Sequence, residues 1–296
     1  MTKKKFSFIR IIAVTYFIVC ILTLVSIKEV TNCAFAYEPS EKYYGSIAYS
    51  ETTIGKSETE RIEYATKNIR KYDRVNVTFP DCYNTDNNLE NACANVAGAN
   101  IINYYDRFYD DFIPDYTSGR IVKNQYVYYP MRMNQSKKQA VINTLYSYMR
   151  TGLDYNGTTQ AMFKQGLTQY INEKGKSITY NNVFSNKKFD IDKFITQIQM
   201  GHPVVLYLSG FNLTSVNYHE NVDILNKSIY DNDTHIAIAY GYQIVDYYNN
   251  DGAIINSKVY IEVASGIRMV VSTGVVFYYL LDNNGVMDDA EAVNVY

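Results

Sequence analysis

The 296-residue chain has no tryptophan, only three histidines and only four cysteines. Three scattered histidines, with no HExxH motif and no CxxC pair, supply no ligand set for a zinc ion. There is no GxGxxG fingerprint and no P-loop, so neither a dinucleotide nor a nucleotide phosphate is expected, and the chain is read as needing no cofactor and no metal. An excess of basic residues is missing as well: 28 Lys and Arg face 30 Asp and Glu. Internal repeats and low-complexity tracts are absent. The 31 tyrosines beside abundant Asn, Ile and Lys read as a composition bias rather than a functional signal.

The N-terminus carries an addressing pattern. Lys3, Lys4, Lys5 and Arg10 precede an apolar run from Ile11 to Ile27, and Ala34-Phe35-Ala36 offers a cleavage site before Tyr37. Residues 1–36 are therefore expected to be a secretory signal peptide. The protein would be extracellular or held at the cell surface, in a Gram-positive bacterium, with a membrane partner only if the apolar segment stays uncleaved as an anchor. Without those 36 residues, 23 basic and 29 acidic groups remain, a formal charge of about −6 that argues against a nucleic-acid partner. The expected organisation is a signal at 1–36, an N-terminal extension or pro-segment at 37–79, and one domain at 80–296.

Cys20 and Cys33 lie within the signal, which leaves Cys82 and Cys93. Two cysteines in a secreted chain read first as one disulfide, whose short loop would add at most about 3 kcal/mol. The neighbourhood of Cys93 suggests something else. The stretch NNLENACANVAGANIINYYD, residues 87–106, reads as a loop feeding a helix over about 91–107, with Val96, Ala97, Ile101, Ile102 and Tyr105 on one face. Cys93 then sits in the first turn, where unpaired N–H groups and the positive end of the helix dipole favour a thiolate.

A cysteine nucleophile needs a base. His202, between Gly201 and Pro203, reads as structural, and His219 as a solvated loop residue. His235 opens the apolar run Ile-Ala-Ile-Ala-Tyr and is the best candidate. Elsewhere the spacing predicts a helix over 57–71 from Ile62, Ala65 and Ile69, a strand over 75–79, helices over 136–150, 159–174 and 190–200, and a polar loop over 209–234. Strands are expected over 178–184, 202–208, 235–245, 258–263 and 275–281. Helices first and an antiparallel sheet second make an α+β domain.

The order of a cysteine at a helix start, Gly-His-Pro-Val-Val (201–205) on one strand and His-Ile-Ala-Ile-Ala-Tyr-Gly-Tyr (235–242) on the next resembles the papain-like cysteine peptidases. It is closest to their compact bacterial branch, related to the bacteriocin-leader-processing peptidases. The resemblance spans roughly residues 80 to 281. It implies an N-terminal helical lobe carrying the cysteine and a C-terminal antiparallel sheet lobe carrying the histidine. It further implies a secreted peptidase that acts on peptide or protein substrates through a Cys93 thioester, with His235 as base and acid. Asn87, six positions before Cys93, or Asn88 would replace the usual glutamine at the oxyanion. The residue that orients the imidazole should fall near Ala264 or Ser265. Ser265 would be a weak orienter, Asn250 or Asp251 could serve from the tip of a long hairpin, or the site could run as a Cys-His dyad. Two other readings stay open: an inactive papain-like binding protein, and a cell-wall amidase or endopeptidase of the NlpC or CHAP type. A redox-controlled Cys82–Cys93 pair is a further possibility.

Overall fold

The computed structural model describes residues 42–45, 56–75, 89–109, 111–116, 119–122, 125–128, 135–153, 157–267, 276–281 and 286–296. The predicted signal, Asn87, Asn88, Cys82 and, apart from Val75, the strand expected over 75–79 lie outside them.

In chain order the first strands are β1 (Tyr43–Tyr44), β2 (Lys56–Glu63), β3 (Thr66–Arg74), β4 (Gly119–Val122), β5 (Gln125–Tyr128) and β6 (Thr158–Thr159). They are followed by β7 (Ile178–Asn182), β8 (Phe184–Ser185), β9 (Lys188–Phe189), β10 (Val204–His219), β11 (Val222–Tyr248), β12 (Ile254–Ala264), β13 (Phe277–Leu280) and β14 (Val286–Val295). The helices are α1 (Cys93–Asp106), α2 (Gln135–Tyr148), α3 (Gln160–Glu173) and α4 (Ile191–Gln199). None of the described helices is long and apolar enough to cross a membrane.

Strand dominates, and the two-lobed papain-like α+β architecture expected from the sequence is not what forms. β10 pairs with β11, β11 with β12, β12 with β13, and β13 returns to β10 through Thr214↔Tyr278, which closes a four-stranded antiparallel barrel. β14 and β7 extend the sheet from β10, while β2 and β3 add to β11. The helices have no core of their own. Ile101 of α1, Leu145 of α2, Phe163 of α3 and Phe194 of α4 belong to one apolar cluster with Leu206 and Ile238 of the barrel strands. A shared core of this kind leaves no separate helical lobe.

Two misread segments account for the difference. Residues 57–71 form the β2–β3 hairpin instead of a helix. β2 pairs with 222–229 of β11 and β3 with 241–248, so the backbone groups of a long strand edge are satisfied there. Only Ile62 of the supposed helical stripe is buried, while Ile69 is 52% exposed. Tertiary pairing overrides local period. Residues 209–234, expected as a polar loop, continue β10 to His219, turn at Glu220–Asn221 with Asn221 at φ 54°, and return as β11. The remaining expectations hold closely. Thr159 caps α3 by accepting from the Met162 N–H at 3.2 Å, Asp190 caps α4 by accepting from Lys193 at 3.1 Å, and Gly175 and Gly201 end these helices at positive φ. β14 had no counterpart in the sequence reading.

Alternation along β12 sends Ile261 and Val263 into the main core and Tyr260 and Glu262 to the opposite face. Glu262 is fully buried there. It accepts from Arg74 through Nε and, at 2.9 Å, Nη2, and from Gln243 Nε2 at 3.1 Å. Removing one partner strands the other charge. We expect Arg74→Met to destabilise the protein by about 3 kcal/mol, and Arg74→Met with Glu262→Leu to recover most of that loss. Urea midpoints of the three proteins check it; equal midpoints for the single and double variants would contradict it.

Candidate functional site

The ladder between β11 and β12 ends at Ile238↔Ala264. Residues 235–237 therefore pair only with β10, through Leu208↔His235, Tyr207↔Ile236 and Leu206↔Ala237. The N-terminus of α1 docks against β11. Gly98 of α1 permits close packing on α2, since a Cβ there would lie 3.0 Å from Leu145 Cδ1.

Unlike α3 and α4, α1 has no side-chain cap. Ala92 holds the N-cap position and the first turn carries no acidic residue. The backbone of Ile236, one residue beyond His235, and to a smaller degree those of Ala94 and Cys93 favour the Cys93 thiolate. Cys93 thus lies by Ile236, the chain neighbour of His235, although Cys93 and His235 stand 142 residues apart in the sequence, and the two side chains make no hydrogen bond with each other.

His235 is held on two sides. Its ring stacks on Phe211 at 5.1 Å and 17°. Nε2 lies 2.7 Å from the Ser265 carbonyl oxygen. A carbonyl only accepts, so the neutral ring carries its proton on Nε2 and presents Nδ1 as an acceptor. Nδ1 is buried and has no hydrogen-bond partner among the described residues. An imidazole with one nitrogen fixed by an acceptor and the other unprotonated is arranged as a general base.

Ser265 is brought to the histidine as expected, by its main chain rather than its hydroxyl. Its Oγ instead accepts from the Ile267 N–H at 3.2 Å. Asn250 and Asp251 are not brought there. They sit in the exposed turn closing the β11–β12 hairpin, where Asn249 Oδ1 accepts from Asp251 and Ala253, roughly 30 Å of strand from Ile238. His202 is half-buried with Nδ1 2.9 Å from Gln197 Oε1, and His219 is exposed at the tip of the β10–β11 hairpin. Sequence reasoning missed Phe211, which lay in the supposed loop. It also missed the buried chain from Asn95 Nδ2 to Thr151 Oγ1 (3.0 Å) and on to Thr158 (2.7 Å), which ties the cysteine helix to β6.

Burial outweighs the helix dipole. Cys93 is 2% exposed and His235 0%. Loss of solvent pushes the Cys93 thiol up to about 12 against the smaller pull of the three backbone groups, and lowers the His235 imidazole to about 4 against the pull of the Ser265 carbonyl. Burial therefore holds both the Cys93 thiol and the His235 imidazole in their neutral forms. Among the described residues, Cys93 is a free thiol, and no group of three His, Cys, Asp or Glu side chains could hold a metal ion. No family model, curated protein or solved structure matches the chain.

The two shifts set a stability window. Between pH 6.5 and 4 the unfolded chain binds a proton at His235 that the folded chain refuses, so stability falls as pH falls through that range, by roughly 3 kcal/mol at most. Above pH 9 the unfolded chain releases the Cys93 proton that the folded chain keeps, so stability falls again as pH rises. Urea midpoints measured from pH 4 to 10 should show His235→Gln flattening the acid limb and Cys93→Ala the alkaline limb. Limbs unchanged by these substitutions would show that other groups set the window.

Proposed function

We propose that the protein is a secreted cysteine-type peptidase with Cys93 as nucleophile and His235 as general base and acid. The observation that carries this reading is the His235 ring, locked through Nε2 onto the Ser265 carbonyl with a buried, unpartnered Nδ1, one residue from Ile236, whose backbone favours the Cys93 thiolate. The proposal rests on the chemistry of the site and not on the architecture.

Because the resting pair is neutral, proton transfer accompanies attack. Nδ1 takes the thiol proton as the sulfur adds to the scissile carbonyl, and the imidazolium returns it to the departing amine. Water then adds to the thioester as Nδ1 takes one of its protons, and the imidazolium returns that proton to the departing Cys93 sulfur, which restores the neutral pair. The first turn of α1, which has no side-chain cap, would supply backbone N–H donors to the oxyanion. Asn87 and Asn88, the side-chain donors suggested by the sequence, lie outside the described residues. The Ser265 carbonyl keeps the imidazole oriented through the cycle, the task a carboxamide or carboxylate side chain performs in a triad.

Complete burial of both groups favours a second reading, a secreted binding protein in which the pair is never used. Hydrolysis of a mixed peptide library at neutral pH separates the two. Under the catalytic reading, Cys93→Ala abolishes turnover, and His235→Ala lowers kcat/KM by about 10³-fold with circular dichroism unchanged. Turnover that persists in Cys93→Ala would end the peptidase reading, and inertness of the parent protein would favour the binding protein.

A further inference from the structure

Residues 42–45 run beside the site. Tyr43 and Tyr44 pair antiparallel with Thr159 and Thr158, a two-stranded ladder separate from the main sheet. Tyr44 is buried, with its ring 5.5 Å from that of Tyr207 and its hydroxyl donating to Asp288 Oδ2 at 3.2 Å. Lys42 Nζ reaches the other oxygen of Asp288 at 3.0 Å. The next residue, Gly45, lies between the two chain segments that carry the chemistry. Its N–H donates to Thr234 Oγ1 at 3.2 Å, one residue before His235, and a Cβ on it would come within 2.6 Å of Asn91 Oδ1, two residues before Cys93.

The geometry points to a peptide-binding groove whose walls are the β6 edge, the Tyr207–Asp288 pocket and the Asn91–Thr234 gap, filled in this structure by Lys42–Gly45. We propose that its substrate class is an extended peptide with tyrosine immediately before glycine. This deepens the peptidase reading and rests on it. Three features select that class. Main-chain pairing with β6 requires an extended strand, as in recognition by strand addition. Tyrosine fits a pocket with an aromatic wall and a carboxylate at its end, where the hydroxyl finds an acceptor. The Asn91 side chain leaves no room for a Cβ at the following position, so only glycine passes without displacing it. The floor is also shaped for close approach. Gly157 has φ +124°, and a Cβ on it would lie 2.5 Å from the Tyr44 carbonyl oxygen. Through Thr158, Thr151 and Asn95 the groove is joined to the cysteine helix by hydrogen bonds. A segment tethered in the same chain competes at a high effective concentration, so the strap also keeps the pair enclosed until a substrate displaces it.

The test follows alkylation of Cys93 by iodoacetamide in the full chain at pH 8, read by peptide mass mapping so that the other cysteines do not interfere. Tyr44→Ala should raise the Cys93 rate by about tenfold or more, the response of a locally docked segment that loses its anchor. The tetrapeptide Lys-Tyr-Tyr-Gly, blocked at both ends, should slow the rate again, whereas Lys-Tyr-Tyr-Leu should not. If Tyr44→Ala fails to fold, Lys42→Gln with Tyr44→Phe removes only the contacts to Asp288 and should give a smaller increase in the same direction. An unchanged rate in a folded variant, or equal protection by the two peptides, overturns the groove. Protection by the glycine peptide without any hydrolysis upholds the groove while removing the peptidase reading. Hydrolysis that is equal in parent and Tyr44→Ala, without protection, does the reverse.

Discussion

The hydrogen bond from His235 to the Ser265 carbonyl depends on a strand pairing that stops early. Had the β11–β12 ladder continued past Ile238↔Ala264, the main-chain groups of 235–237 and 265–267 would have been engaged with each other. Because it ends there, the carbonyl of Ser265 is free to fix the imidazole, and the Ile236 backbone is free to meet the sulfur at the start of α1. The barrel holds β11 rigid on its β10 side, and the helices anchor α1 through the same core. Fold and site thus share one constraint, and an uncapped helix end is tolerated where capping would have competed with the thiol.

Two opposing effects meet at Cys93. The helix dipole and three backbone groups favour the thiolate, while complete burial favours the thiol, and burial is the larger. The same burial holds the imidazole neutral. Both groups are therefore neutral at rest, and under the proposed peptidase reading the thiol would lose its proton only as the sulfur adds to a carbonyl. Such burial protects the thiol from oxidation and adventitious acylation, since the thiolate is the reactive form. Buried polar groups with an unmet partner cost stability, and the His235 Nδ1 is one of several such atoms among the described residues.

The two candidate residues could be singled out in the sequence. Cys93 was identifiable because small residues and an apolar stripe mark a closely packed helix just after it, and His235 because it opens a buried strand in a chain with three histidines. Thr159, Asp190, Gly175 and Gly201 marked helix ends through local chemistry that does not depend on the fold. The architecture was less legible. Residues 57–71 and 209–234 are polar enough to read as helix and loop, yet their conformation is decided by each other: β2 lies on 222–229, a partner more than 150 residues away. Ser265 was suggested by the family resemblance as a weak side-chain orienter, whereas it meets His235 through its carbonyl, which every residue possesses, so no side-chain pattern could have announced that contact. The closed barrel likewise depends on one bridge, Thr214↔Tyr278, with no local signature.

The account stands on Cys93 and His235 acting as one chemical unit. Its most direct test is the rate at which a peptidyl chloromethyl ketone modifies Cys93 between pH 4 and 9, in the parent protein and in His235→Ala, with the adduct located by mass spectrometry. The account predicts a single adduct at Cys93, formed well below the ordinary thiol range and lost with His235. A rate that rises only as a free thiol ionises, and that is indifferent to His235, would contradict it.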